Sequence, residues 1–176
     1  MKSLFKENGV GRKSSLTCTV SPALPFVELD PEKTHSTEIQ KVNGNIVYKG
    51  IVHAAQAALE AGIPVGIGTD SACPYVTHYD MWREVVYFER IVGAPRKLAF
   101  HTATLGNARI LGLGEETGSI ELGKAADLIV LDENPLDNLE ALRQVKMVMA
   151  RGKLISGLSV KHLPELDREL DTFLPR

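Results

Sequence analysis

The chain has 176 residues, 44% of them apolar, with 20 Lys plus Arg against 22 Asp plus Glu and a formal charge of -2. That is long enough for one substantial domain, or one domain and a small appendage, around a real core. A near-neutral chain without a long run of like charge argues against a nucleic-acid or anionic-membrane surface. No apolar stretch approaches the roughly 20 residues that span a bilayer. The first residues lack the apolar centre of a signal peptide.

Taken in order, Leu4 to Gly9 read as the last turns of a helix closed by Asn-Gly. Ser15 to Ser21 alternates and is rich in β-branched residues, which predicts a strand stopped by Pro22 and Pro25. Glu28 to Asn45 is polar, with few apolar residues, and reads as a long loop carrying a solvated His35. From Ile46 to Ala61, Val47, Ile51, Ala54, Ala55, Ala58 and Leu59 recur at helical spacing, and Gly62 supplies the stop. His53 in that helix reads as packed or solvated. A helix is predicted over Thr77 to Val92 with Thr77 as its cap, another from Ala94-Pro95 to Phe100, and a further turn over Leu105 to Leu111 capped by Thr104.

Beyond Gly114 the pattern changes to short strands and turns. Gly118 to Leu122, Ala126 to Leu131 and Val145 to Ala150 read as strands, and Lys153 to Ile155 returns as a hairpin partner across Arg151-Gly152. Leu163 to Leu174 carries leucines at helical spacing and reads as a terminal amphipathic helix. The two cysteines, Cys18 and Cys73, lie on separate predicted elements without metal-type spacing, which reads as reduced thiols and a cytoplasmic setting.

One stretch organises the rest. Residues 62 to 74, Gly-Ile-Pro-Val-Gly-Ile-Gly-Thr-Asp-Ser-Ala-Cys-Pro, contain a short apolar run bounded by Pro64 and by a Gly-Thr-Asp-Ser turn. This is the signature of a strand buried on both faces, and it puts Asp70 at the strand's C-terminal tip. Parallel α/β folds gather their chemistry at that edge, because the loops leaving it converge over a rigid sheet. The competing reading is an Asp that merely caps the following turn. Gly68, where the strand turns toward Asp70, is expected to need close backbone approach or an unusual dihedral. His78 lies eight residues further on, close enough for a short loop to bring it into the same cleft.

Three motifs stand in a fixed order: Ala-Gly-Ile-Pro-Val-Gly-Ile-Gly-Thr-Asp-Ser at 61 to 71, Ala-Thr-Leu-Gly-Asn-Ala-Arg-Ile-Leu-Gly-Leu at 103 to 113, and Gly-Ser-Ile-Glu-Leu-Gly-Lys-Ala-Ala-Asp-Leu-Ile-Val-Leu-Asp at 118 to 132. Together they resemble the C-terminal part of metal-dependent amidohydrolases, particularly the imidazolonepropionase-like branch with its related dipeptidases. The resemblance implies an α/β fold: the last strands and helices of a (β/α)8, or TIM, barrel, a small β-sandwich element and a C-terminal helix. The expected boundaries are residues 1–112, 113–158 and 159–176. It assigns Asp70 two roles, ligand of a divalent metal, most simply zinc, and the base that takes the proton of the attacking water. His78 is the candidate contact to substrate or leaving group.

The resemblance also implies what this sequence does not contain. The family's His-x-His pair and its further Lys, Glu and His ligands belong to upstream strands, and no His-x-His occurs here. A barrel needs about 250 residues. The chain is therefore expected to be a C-terminal portion of a hydrolase of amide, cyclic amide or dipeptide C–N bonds. Alone, it is expected to be inactive and without tightly held metal. Two open strand edges, at Ser15 and Val65, are expected to drive homo-oligomerisation or pairing with a missing N-terminal half. Its partner in the complete enzyme would be a small-molecule substrate, with neither nucleic acid nor membrane. The alternative is a non-catalytic, self-associating remnant. A phospho-acceptor domain of receiver type is disfavoured by the lack of an acidic pair on an earlier strand.

Overall fold

The computed structural model describes residues 14–174. The predicted helix end at Leu4 to Gly9 lies outside the described residues. Strand β1 (Leu16–Cys18) and strand β2 (Val65–Ile67) form a two-stranded parallel sheet in the register Leu16 to Val65 and Cys18 to Ile67. Three helical segments connect them: α1 (Leu24–Glu28), a single turn α2 (Pro31–Thr34) and α3 (Glu38–Glu60). After β2 come α4 (Met81–Arg90), α5 (Arg96–His101), a π-helical turn over 102–106 and α6 (Asn107–Ile110). The C-terminal part holds β3 (Leu128–Leu131), a 3-10 turn at Leu139–Arg143, β4 (Val145–Ala150), β5 (Lys153–Ile155) and α7 (Pro164–Asp171). Strands β3, β4 and β5 form a separate antiparallel sheet in that order.

Both sheets are small and open, so the core is built mainly by helices. From Trp82 to Phe88 every residue of α4 is buried. It packs with Cys18, Val65 and Ile67 of the parallel sheet and with Ala55 and Ala58 of α3. The terminal helix α7 joins the same core through Leu170, and Phe173 follows just beyond it. Arg83 holds α7 in place: its guanidinium lies 2.7 Å from Asp171 Oδ1 and donates to Asp167 O at 3.3 Å. Arg143 makes a second, bidentate contact to Asp171 at 3.2 and 3.0 Å.

The structure corrects several expectations. The predicted loop over Glu28 to Asn45 is largely helical. Thr37 and Gln40 form a reciprocal capping box that starts α3 at Glu38, eight residues before the predicted helix. The helical pattern was hidden because Ile39, Val42 and Ile46 point outward, 73%, 55% and 64% exposed. His35 ends α2 in a left-handed conformation, φ 50°, and is exposed as read. Thr77 does not cap α4; its hydroxyl donates to Asp80 at 2.6 Å, and the helix begins after Asp80. Thr104 caps nothing either. Helix α5, the π turn and α6 run on without a break, and its hydroxyl donates back to Phe100 O and His101 O. Gly118 to Leu122 is not a strand: Ile120 and Leu122 are exposed, and no partner strand pairs with them among the described residues.

Candidate active site

The tip of β2 carries Asp70 as the sequence predicts. Gly68 N–H donates to Cys18 O at 3.1 Å, closing the parallel pair, and two residues later Asp70 turns out of the sheet with φ 52°. A left-handed conformation at Asp is tolerated but costs energy. Ala72 and Tyr75 follow with φ 84° and 67°, so the loop after the strand reverses repeatedly. The strain expected at Gly68 is therefore absent. Its φ is not in the left-handed region, and a Cβ there would lie 3.8 Å from the Thr17 and Thr19 methyls, ordinary contact. Gly66 is the glycine that close approach demands: a Cβ would stand 2.8 Å from Asn107 Oδ1.

The Asp70 carboxylate is exposed and lines an open crevice of about 430 Å³. Thr19 and Pro22 at the end of β1, Phe26 of α1, and Asn43 and Val47 of α3 complete its walls. Cys73 donates its thiol to Asp70 Oδ2 at 3.5 Å; partial loss of solvent, and after it the contact with the Asp70 carboxylate, raise the Cys73 pKa. His78 is elsewhere. It lines a second open cavity, of about 570 Å³, with Cys73, Tyr75, Tyr79, Lys161 and Leu163. The coiled 71–79 loop thus separates two residues that sequence spacing placed in one cleft.

Behind the crevice lies a side chain that sequence reasoning missed. Glu84, in the middle of α4, is completely buried, yet its carboxylate reaches the tip of β1. Oε1 accepts from Val20 N at 2.6 Å; Oε2 accepts from Ser21 N at 2.9 Å and from Ser21 Oγ at 2.5 Å. Burial pushes its pKa up to about 7 against the opposing effect of these three donors. Burial, with the Glu84 charge, also pushes the Cys18 thiol up to about 12. Both cysteines are free thiols. Asn107 was likewise missed as a functional group although it stands in the second motif. The only signal for Glu84 was a carboxylate inside an otherwise apolar helix face.

Among the described residues no group of three or more His, Cys, Asp or Glu side chains is placed to hold a metal ion. Asp70 and Cys73 approach each other without a third ligand, so these residues do not by themselves fit a tetrahedral zinc site.

A carboxylate just beyond the tip of a parallel strand, in a crevice walled by the neighbouring strand-to-helix loop, is a strand-end site of the kind α/β folds build. The model of the amidohydrolase family matches residues 32–155, and the chain belongs to that family. A crystal structure of a protein from Bifidobacterium longum, described as a prolidase, superposes with a TM-score of 0.88 at 41% identity, covering 90% of this chain and 39% of that one. A Xaa-Pro dipeptidase with methionine in its active site gives a TM-score of 0.71 at 30% identity, over 89% of this chain and 37% of that one. In sequence, a 5-methylthioadenosine/S-adenosylhomocysteine deaminase of Bacillus cereus is 32% identical over 134 residues, 69% of this chain and 30% of that protein. The chain thus spans less than two fifths of the length of each of these relatives.

Proposed function

We propose that this chain is the C-terminal portion of a hydrolase of C–N bonds, acting on an amide, cyclic amide or dipeptide. The observation that carries the reading is the exposed Asp70 carboxylate at the β2 tip, in a family whose similar members include a structure described as a prolidase and a Xaa-Pro dipeptidase. In this reading β1 and β2 are the last two strands of a partial TIM barrel, and residues 113–158 are its β-sandwich element. Asp70 accepts the proton of the attacking water and returns it to the leaving nitrogen. It also serves as one ligand of a divalent metal, zinc by preference, whose other ligands come from sequence other than residues 14–174. His78 contacts the substrate or leaving group from the neighbouring cavity.

The same reading makes the partner a small-molecule substrate, together with either a second copy of the chain or a polypeptide supplying the remaining strands. The two free thiols support a cytoplasmic setting, and among the described residues no helix is long and apolar enough to cross a membrane. The alternative reading is a non-catalytic, self-associating remnant of the family.

Co-expression with the upstream portion of the Bifidobacterium longum relative, followed by assays on Xaa-Pro dipeptides and simple amides with zinc, separates the two. The hydrolase reading expects activity that Asp70→Asn abolishes. Activity indifferent to Asp70→Asn, or a folded complex with none, overturns it.

A further inference from the structure

We infer that Glu84 is a positioning residue for the Asp70 crevice: from α4 it fixes the tip of β1, and with it the wall that faces Asp70. The inference rests on the reading of that crevice as the site. Residues 19 to 23 leave β1 opposite the point where Asp70 leaves β2, and Thr19, Pro22 and Ala23 line the crevice. Beyond Cys18, whose carbonyl is the last to pair with β2, the chain has no strand partner among the described residues. In place of one, the Glu84 carboxylate takes the N–H groups of Val20 and Ser21 and the Ser21 hydroxyl. Three donors converging on one fully buried carboxylate, 63 and 64 residues away in sequence, hold this turn more strongly than neutral hydrogen bonds would.

Among the described residues no cation pairs with Glu84. Arg83, its neighbour on α4, spends its guanidinium on Asp80 and Asp171. Cys18 from β1 and Tyr87 from α4 are the titratable groups that feel its charge, and Arg83 and Asp80 act on the same Tyr87. The acceptor role therefore depends on the protonation of this one carboxyl. Of its three partners only the Ser21 hydroxyl can reverse, donating to the carboxylate and accepting from the acid; the two backbone N–H groups cannot. Protonation thus alters the bond that orients Ser21 and leaves one oxygen as a full acceptor for the backbone.

The test is amide NMR and hydrogen exchange on the chain itself, needing neither metal nor turnover, so it can fail while the hydrolase reading stands. In Glu84→Gln the Val20 and Ser21 amides should exchange at least ~10-fold faster. The resonances of Thr19, Ala23 and Asp70 should shift while those of Met147 and Ile155, in the distant sheet, stay fixed. In the wild-type chain the Thr19 and Asp70 amides should titrate together with Val20 and Ser21, and this titration should vanish in Glu84→Gln. Ser21→Ala, which keeps the carboxylate and both backbone bonds, should move the same crevice resonances by less and carries the test if Glu84→Gln does not fold. Changes confined to Val20 and Ser21, or spread evenly to Met147 and Ile155, overturn the inference, because either pattern describes a residue that supports stability alone.

Discussion

Asn107 holds Ile67 with both ends of its amide: Oδ1 accepts from Ile67 N at 3.0 Å and Nδ2 donates to Ile67 O at 2.8 Å. Pro64 and Gly68 direct their backbone groups toward β1, so in an alternating strand Val65 and Ile67 direct theirs the other way. Asn107 therefore occupies the position of a strand neighbour on the outer edge of β2. The edge expected to be fully open at Val65 is already closed at Ile67, which is one of the means by which proteins keep sheet edges from pairing.

Removing that clamp should cost more than an ordinary surface substitution. Asn107→Ala leaves a buried N–H and C=O of Ile67 without partners, a loss of about 1–3 kcal/mol. Asn107→Asp keeps the bond to Ile67 N but sets an acceptor against Ile67 O, and should be no better. Urea midpoints check the stability, and sedimentation at micromolar concentration checks whether the uncovered edge increases self-association. Midpoints unchanged from wild type would show that the amide is incidental.

The same clamp decides which glycine is indispensable. Gly66→Ala places a methyl 2.8 Å from Asn107 Oδ1 and 3.1 Å from Ile110 Cδ1. It should destabilise by about 1–3 kcal/mol, as overpacking generally does. Gly68→Ala meets only two threonine methyls at 3.8 Å and should stay within about 0.5 kcal/mol of wild type. A denaturation series in which Gly68→Ala is the more damaging would contradict the geometry of the β2 tip.

Glu84 gives a pH dependence opposite in sign to that of a usual paired carboxylate. Its folded pKa, about 7, lies above its ordinary value of 4.5, so between these pH values the folded state binds more protons than the unfolded one. Stability from this group is complete below about pH 4.5 and is lost as pH rises through about 7. Urea midpoints should therefore fall across that window and level off above it, and Glu84→Gln should flatten the fall. A wild-type midpoint that rises with pH over the same window, with no difference in Glu84→Gln, would show that the carboxyl is ionised throughout.

The sequence made visible those elements whose apolar residues face the core. The strands at Leu16 and Val65 and the C-terminal half of α3 follow buried patterns, whereas the largely exposed β4–β5 hairpin was marked by its Arg151-Gly152 turn. Where apolar residues face outward, as Ile39 and Val42 do, the same rule reads a helix as a loop, although Thr37 and Gln40 carried its start signal. The position of Asp70 was legible because strand ends are local. Its separation from His78 was not, since it depends on left-handed turns at Ala72 and Tyr75 that nothing in those side chains demands. Glu84 and Asn107 act across 63 and 40 residues, and all their partners but the Ser21 hydroxyl are backbone groups, which leave no trace in the pattern of side chains.

The final prediction separates what Asp70 does for the fold from what it does for function. Its side chain is exposed, its one side-chain partner among the described residues is the Cys73 thiol at 3.5 Å, and its backbone sits at φ 52°. A residue retained for stability would not be placed so. Asp70→Gly removes the left-handed penalty and should raise stability by up to about 1 kcal/mol. Asp70→Asn, which keeps a side chain tolerant of that conformation, should leave the urea midpoint within about 0.5 kcal/mol of wild type. If Asp70 is the proton carrier and metal ligand proposed above, both variants should nevertheless eliminate hydrolysis once the remaining strands are supplied. Stability preserved and activity lost is the signature of a functional carboxylate. A substantial loss of stability in either variant would instead make Asp70 a structural cap of its own turn, the plainer role that the local sequence also allowed.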